Sequence, residues 1–261
     1  EGVADASRED PRRQDHSAAG REDGFGRTRR ENRMDGPCGG RSRRNQLCLC
    51  EVGGMEMTEA GLAAMIDHTL LAPGAVKADF ERLCSEAVNY GFHSVCVNSS
   101  RVELVSGILR GTGVLVCSVA GFPLGAGAVK RLEAAAAVEA GAGEIDMVID
   151  IGALREGDHR KVEDEIRGVV EASLGRPVKV ILETCLLADE EKKLACRLSE
   201  SAGASFLKTS TGFSTGGATV HDVGLMREAV GGRLGVKASG GISTLDAALE
   251  MVAAGADRLG L

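Results

Sequence analysis

Eight short apolar runs, most of them rich in β-branched residues, recur along this chain at intervals of about 22 to 34 residues, and that rhythm constrains the fold more than any other feature. The runs are Ile66–Leu71, His93–Asn98, Val114–Ala120, Glu144–Asp150, Val178–Thr184, Ser205–Thr211, Gly235–Ser239 and Arg258–Leu261. Helical patterns lie between them, over Phe80–Asn89, Val129–Ala140, Asp158–Ser173, Ala188–Ser201, Thr219–Val230 and Thr244–Ala254. Small-residue stops such as Tyr90-Gly91, Ala140-Gly141, Ala202-Gly203 and Ala254-Gly255 close several of these helices before the next strand. Strands alternating with crossover helices make a parallel sheet. Eight such units in 261 residues predict a closed (β/α)8 TIM barrel of the α/β class, a fold of about 250 residues.

A doubly wound dinucleotide fold is the competing architecture, and it lacks its glycine signature. After the run Val114–Ala120 the chain reads Gly121-Phe122-Pro123-Leu124-Gly125-Ala126-Gly127, which is not G-x-G-x-x-G, and no Walker A sequence occurs. Nucleotide cofactors are therefore not expected. The absence of Trp, a single Tyr and 36 glycines point to a core of Ala, Val, Leu and Ile, as parallel α/β folds use.

Residues 1–54 differ from the rest: rich in Arg, Gly, Asp and Glu, free of Lys and without helical or strand periodicity. They are expected to be a disordered or non-native N-terminal extension, with residues 55–261 forming the barrel. Residues 1–50 carry eleven Arg against nine acids, leaving twenty bases against twenty-nine acids beyond them. An acidic domain argues against nucleic acid as a partner. Eight scattered cysteines without a secreted-scaffold spacing predict reduced thiols in a cytoplasmic protein, and no run approaches the ~20 apolar residues of a membrane span.

Chemistry is expected at the C-terminal ends of the strands, where a barrel gathers its side chains. Lys208, Lys237 and Asp146 are polar residues embedded in apolar strands. Lys208 and Lys237 on adjacent strands would each disfavour the other's charge, and burial would add to that. A neutral amine attacks a carbonyl to give an imine, an electron sink that allows the neighbouring carbon–carbon bond to break. Asp146 could hold the remaining ammonium and relay protons. Neither lysine ranks above the other on these grounds. Glycine-rich turns follow both, Thr209-Ser210-Thr211-Gly212-Phe213-Ser214-Thr215-Gly216-Gly217 and Ser239-Gly240-Gly241-Ile242-Ser243, and such turns expose N–H groups to an anion. No histidine shows H-E-x-x-H or paired-ligand spacing, which disfavours a zinc mechanism. His68 and His93 could meet at strand ends, but two lone histidines are more often hydrogen-bonded structural residues.

Four segments together resemble the deoxyribose-phosphate aldolases: Ile66-Asp67-His68-Thr69-Leu70-Leu71, Glu144-Ile145-Asp146-Met147-Val148, Phe206-Leu207-Lys208-Thr209-Ser210-Thr211-Gly212-Phe213 and Val236-Lys237-Ala238-Ser239-Gly240-Gly241-Ile242. The resemblance runs in order from about Met57 to the last residue. It implies reversible cleavage of 2-deoxyribose 5-phosphate to glyceraldehyde 3-phosphate and acetaldehyde, with neither metal nor organic cofactor. It also implies roles. Lys208 becomes the Schiff-base nucleophile, Lys237 the neighbour that disfavours its protonation and Asp146 the proton shuttle. Asp67, Thr69 and Cys96 fall near the sugar, and Thr211, Gly212, Gly240, Gly241 and Ser243 near hydroxyl or phosphate. Cys96 reads equally well as a small core residue. Family members continue past the eighth strand with a Gly-x-Ser phosphate turn and a final helix, whereas this sequence stops at Leu261, so the barrel is expected to be truncated there. The partner expected is a phosphosugar, with homo-oligomerisation left open. Other lysine-dependent barrel aldolases, transaldolase-like or of the keto-deoxy-phosphogluconate type, and an inert phosphosugar-binding barrel are the remaining readings.

Overall fold

The computed structural model describes residues 48–52 and 55–261. The predicted N-terminal extension, with its arginine pairs, lies outside the described residues apart from one strand. β1 (Cys48–Val52) pairs antiparallel with β2 (Met55–Thr58), Val52 opposite Met55.

All eight predicted barrel strands form: β3 (Ile66–Leu70), β4 (Ser94–Val97), β5 (Leu115–Ala120), β6 (Glu144–Val148), β7 (Val178–Ile181), β8 (Phe206–Lys208), β9 (Gly235–Ser239) and β10 (Arg258–Gly260). Every neighbouring pair is parallel, and β10 pairs with both β9 and β3, so the barrel is closed. Most strands stop earlier than their apolar runs because the next residue takes another job. Asp150, for instance, caps the following helix, its side chain accepting from the Ala153 N–H.

The predicted helices are α2 (Lys77–Tyr90), α4 (Lys130–Glu139), α6 (His159–Ala172), α7 (Asp189–Ser201), α8 (Val220–Val230) and α9 (Leu245–Ala253). In α6, Val162, Ile166 and Val169 recur at helical spacing and are buried, while Asp158 accepts from the Lys161 N–H at the N-terminus. The left-handed Gly91, at φ 69°, ends α2 as its position predicted. Three helices went unpredicted: α1 (Glu59–Ala63), α3 (Val102–Leu109) and α5 (Ile151–Glu156), each too short for a clear period. Apolar side chains fill the layer between strands and helices. Inside the barrel the fill is different, and largely charged.

Candidate active site

Side chains alternate along a strand, so the residues between the helix-facing Val, Ile and Leu of each barrel strand point inward. Seven of these inward or near-inward positions are ionisable: Asp67 on β3, Glu144 and Asp146 on β6, Lys179 on β7, Lys208 on β8, Lys237 on β9 and Arg258 on β10, all buried. The register puts Lys208 directly opposite Lys237, and Asp146 opposite Lys179. The adjacency expected of the two lysines is therefore present.

Asp146 is the hub. Its Oδ2 accepts from Lys208 Nζ and from Lys237 Nζ, each at 2.9 Å, and its Oδ1 accepts from Lys179 Nζ at 2.8 Å and from the Cys117 thiol at 3.1 Å. Asp67 meets Lys237 at 2.6 Å, Arg258 at 2.6 Å and Lys179 at 3.6 Å, and accepts from Ser94 Oγ at 2.7 Å. Glu144 meets Lys179 at 2.7 Å and Arg258 at 3.0 Å, with His93 beside them.

Burial would raise the pKa of each carboxyl, but the cations outweigh it. Lys179, Lys208 and Lys237 hold Asp146 far below the ordinary range, Lys237, Lys179 and Arg258 hold Asp67 low, and His93 and Lys179 bring Glu144 from 4.5 to about 2. For Lys237 the outcome differs from the sequence expectation. Burial pushes its proton off, yet Asp146 and Asp67 more than compensate, and the ammonium is held above the usual lysine value. Lys179 behaves in the same way. A neighbouring lysine and a dry setting do not neutralise an amine that sits between two carboxylates.

Four cations thus face three carboxylates. Among the described residues, Lys179 has three carboxylate partners, Lys237 two and Lys208 one, Asp146. Lys208 is also the member that reaches open space. A cavity of about 240 Å³ at the barrel mouth is lined by Thr69, Lys208, Thr211, Gly212, Phe213, Ser239, Gly240 and Gly241, with Leu71 and Ile242. Wider clefts lie on the outer helices, but no member of the Asp146 network lines either of them.

Of the residues singled out from sequence, Lys208, Thr69, Thr211, Gly212, Gly240 and Gly241 line this cavity. Asp146, Lys237 and Asp67 lie beneath it in the ionic network. Cys96 is fully buried in a small apolar cluster with Cys117 and Val119, and Ser243 is exposed outside the cavity wall. His68 and His93 do not form a pair: His68 bonds Glu86 at 2.8 Å, while His93 contacts Arg258 and Glu144. Sequence reading gave no role to Lys179, Arg258 and Glu144. Lys179, in Val178-Lys179-Val180-Ile181, carries the same embedded-lysine signal as the other two.

Among the described residues, Cys96, Cys117 and Asp146 lie close enough to share an ion. Three ammonium groups already bring positive charge to that carboxylate, which is ill suited to a further cation.

A profile of the DeoC/LacD family aldolases matches residues 62–259. Deoxyribose-phosphate aldolase 1 of Bacillus licheniformis is 56% identical over 202 residues, covering 76% of this chain and 91% of its own length. The Bacillus subtilis deoxyribose-phosphate aldolase is 57% identical with the same coverage. Among solved structures, the deoxyribose phosphate aldolase of Aeropyrum pernix, described as having a unique tetrameric structure, matches with a TM-score of 0.73 and 39% identity, covering 78% of this chain and 87% of that one. No described helix is long and apolar enough to cross a membrane. A closed parallel barrel, a buried lysine cluster opening on one mouth and relatives above 50% identity agree, and the chain belongs to the DeoC/LacD family of aldolases, among its deoxyribose-phosphate aldolase members.

Proposed function

We infer that the protein is a class I aldolase that cleaves 2-deoxyribose 5-phosphate reversibly through an imine on Lys208. The observation that carries the choice of lysine is that Lys208 alone among the described lysines lines the mouth cavity, with Asp146 Oδ2 at 2.9 Å beneath it. With a single carboxylate partner among the described residues, Lys208 is also the lysine of the network least tied down by ion pairs. Its lone pair adds to the substrate C1 carbonyl, and loss of water leaves an iminium. Removal of the C3 hydroxyl proton then sends the C2–C3 bonding pair into the iminium. Glyceraldehyde 3-phosphate departs and an enamine remains. Protonation at C2 and hydrolysis release acetaldehyde and restore the amine. Asp146, kept ionised by the charged Lys237, accepts a hydrogen bond from Nζ at 2.9 Å and so orients the amine and steers the protons exchanged there.

The turns carrying Gly212 and Gly240-Gly241 suit the phosphate, because they line the mouth cavity on positive-φ glycines and glycine turns of this kind present N–H groups to anions. Thr69 offers its hydroxyl to the sugar, whereas the Thr211 hydroxyl is engaged within the protein by Glu183 and the Phe213 N–H. Asp67 acts one layer away, as a partner of Lys237. The unpaired cysteines among the described residues fit a reducing cytoplasm, and the tetrameric Aeropyrum relative favours a homo-oligomer. Residues 1–46 are proposed to be dispensable for the barrel, since their composition offers little apolar surface to bury.

Borohydride reduction in the presence of acetaldehyde, followed by peptide mass mapping, tests the assignment. The reduced adduct is expected on Lys208. An adduct on Lys237 or Lys179 overturns the choice of nucleophile, and reaction with pyruvate or dihydroxyacetone but not acetaldehyde points to a different aldolase.

A further inference from the structure

Beyond the end of β7 the ladder to β8 slips by one residue. Through β7 and β8 the pairing is regular, with Ile181 opposite Lys208, and the Leu182 N–H donates to the Lys208 carbonyl at 2.9 Å. A regular parallel ladder would next join Thr184 to Ser210. Instead the Thr184 N–H donates to the Thr209 carbonyl at 3.0 Å, so one extra residue, Glu183, bulges from the β7 side. Glu183 takes the left-handed conformation, φ 55° and ψ 62°, which a glycine would adopt without strain. A bulge of this kind re-aims one side chain, and here it re-aims a carboxylate into the protein, 2% exposed.

That carboxylate has one target. Its Oε1 accepts from the Thr211 N–H at 3.2 Å and its Oε2 accepts from the Thr211 hydroxyl. Thr211 Oγ1 in turn accepts from the Phe213 N–H at 3.0 Å. Two residues on, the Cys185 thiol bonds Ser214 Oγ at 3.5 Å, and Cys185 backs against Gly216. The bulge and the turn after it therefore brace the whole of the mouth loop from Thr211 to Gly216. The end of this loop is pressed on the second glycine turn: a Cβ on Gly217 would lie 2.2 Å from the Gly240 carbonyl oxygen, and the Ala218 N–H donates to the carbonyls of Ser239 and Gly240. Displacing one turn moves the other.

We propose that Glu183 is a positioning residue, holding the Thr211–Gly217 turn from its bulge and thereby setting the grip of both glycine turns on the phosphate end of the substrate. It does not line the cavity, and no ion pair joins it to the Asp146 network among the described residues. Its effect should fall on phosphosubstrate binding and leave imine chemistry at Lys208 alone. The inference rests on the aldolase reading above.

The experiment is steady-state kinetics of Glu183→Gly and Glu183→Gln on 2-deoxyribose 5-phosphate and on unphosphorylated 2-deoxyribose. Glycine keeps the bulge without strain and removes the carboxylate together with its two methylenes. It is expected to raise KM for the phosphorylated sugar about tenfold or more, with kcat changed by less than about threefold and little change for deoxyribose. Glutamine keeps one acceptor for Thr211 and should give an intermediate KM, so it carries the test should the glycine variant not fold. An unchanged KM, equal loss on both sugars, or a loss confined to kcat overturns the proposal. An unaltered protein that neither cleaves the phosphosugar nor forms a borohydride-trapped adduct would instead overturn the aldolase reading beneath it.

Discussion

Lys208 and Lys237 donate to the same oxygen, Oδ2 of Asp146, from the same distance of 2.9 Å. They differ in what else they touch: Lys237 also meets Asp67, and Lys208 meets the cavity. One carboxylate oxygen thus serves a permanent cation and a replaceable one. When Lys208 becomes an imine or a free amine, Lys237 keeps Asp146 charged.

Replacing Lys237 with Met tests this division. Without the competing cation, Asp146 holds the Lys208 ammonium more firmly, so the pH–rate profile should move to the alkaline side. The same change leaves Asp67 and Asp146 short of a buried counter-charge, and should cost about 3–5 kcal/mol of stability. Denaturant melts and a pH series on the folded variant read the two effects separately. A profile that stays in place counts against the shared-oxygen account.

Lys208→Met should abolish the trapped adduct. It removes the surplus cation of the network and leaves all three cationic partners of Asp67 and two of the three on Asp146, so its stability cost should be clearly smaller than that of Lys237→Met. Thermal unfolding of the pair, measured side by side, checks the order.

Acid should loosen the barrel in a definite window. Glu144 has a folded-state pKa lowered from 4.5 to about 2, with burial opposing and His93 and Lys179 driving the shift. Its contribution is fully present above 4.5 and is lost as pH falls toward 2, on the order of 3 kcal/mol in all. Asp67, also lowered, adds in the same direction. In a Glu144→Gln variant that folds, stability should be lower at neutral pH and should fall less steeply over this range. An equally steep decline would place the acid sensitivity elsewhere.

Gly217→Ala should push the two mouth turns apart, since the new methyl would lie 2.2 Å from the Gly240 carbonyl oxygen, a backbone atom held by Ala218. Overpacking of this kind costs about 1–3 kcal/mol. Activity on 2-deoxyribose 5-phosphate should fall more than activity on deoxyribose, and a ratio that does not change argues that the turns do not hold the phosphate.

The barrel was legible because its strands repeat, and the reactive end was legible because lysines inside apolar strands break that repeat. Lys179 broke it just as plainly, but without a glycine turn after it there was no second signal to mark it. Arg258 and Glu144 were hidden for another reason: at a strand's first residue an ionisable side chain reads as surface, and only closure of the barrel turns it inward. Short α3 and α5 lack enough turns to show a period. Glu183 is the deepest omission, since a left-handed glutamate cannot be told from an ordinary strand residue until the register of β7 and β8 is known.

The contact of Asp67 with Arg258, 191 residues apart, also bears on the order in which the polypeptide can assemble. As the chain emerges from its amino end, β3 is the first barrel strand made and β10 the last. Until Arg258 and Lys237 arrive, Asp67 lacks two of its cations, and an early half-barrel would enclose a poorly matched carboxylate. Native closure is a contact of very high sequence separation, which makes it slow. Partial sheets are thereby discouraged from drying their interiors too soon, and cooperative folding awaits the final strand.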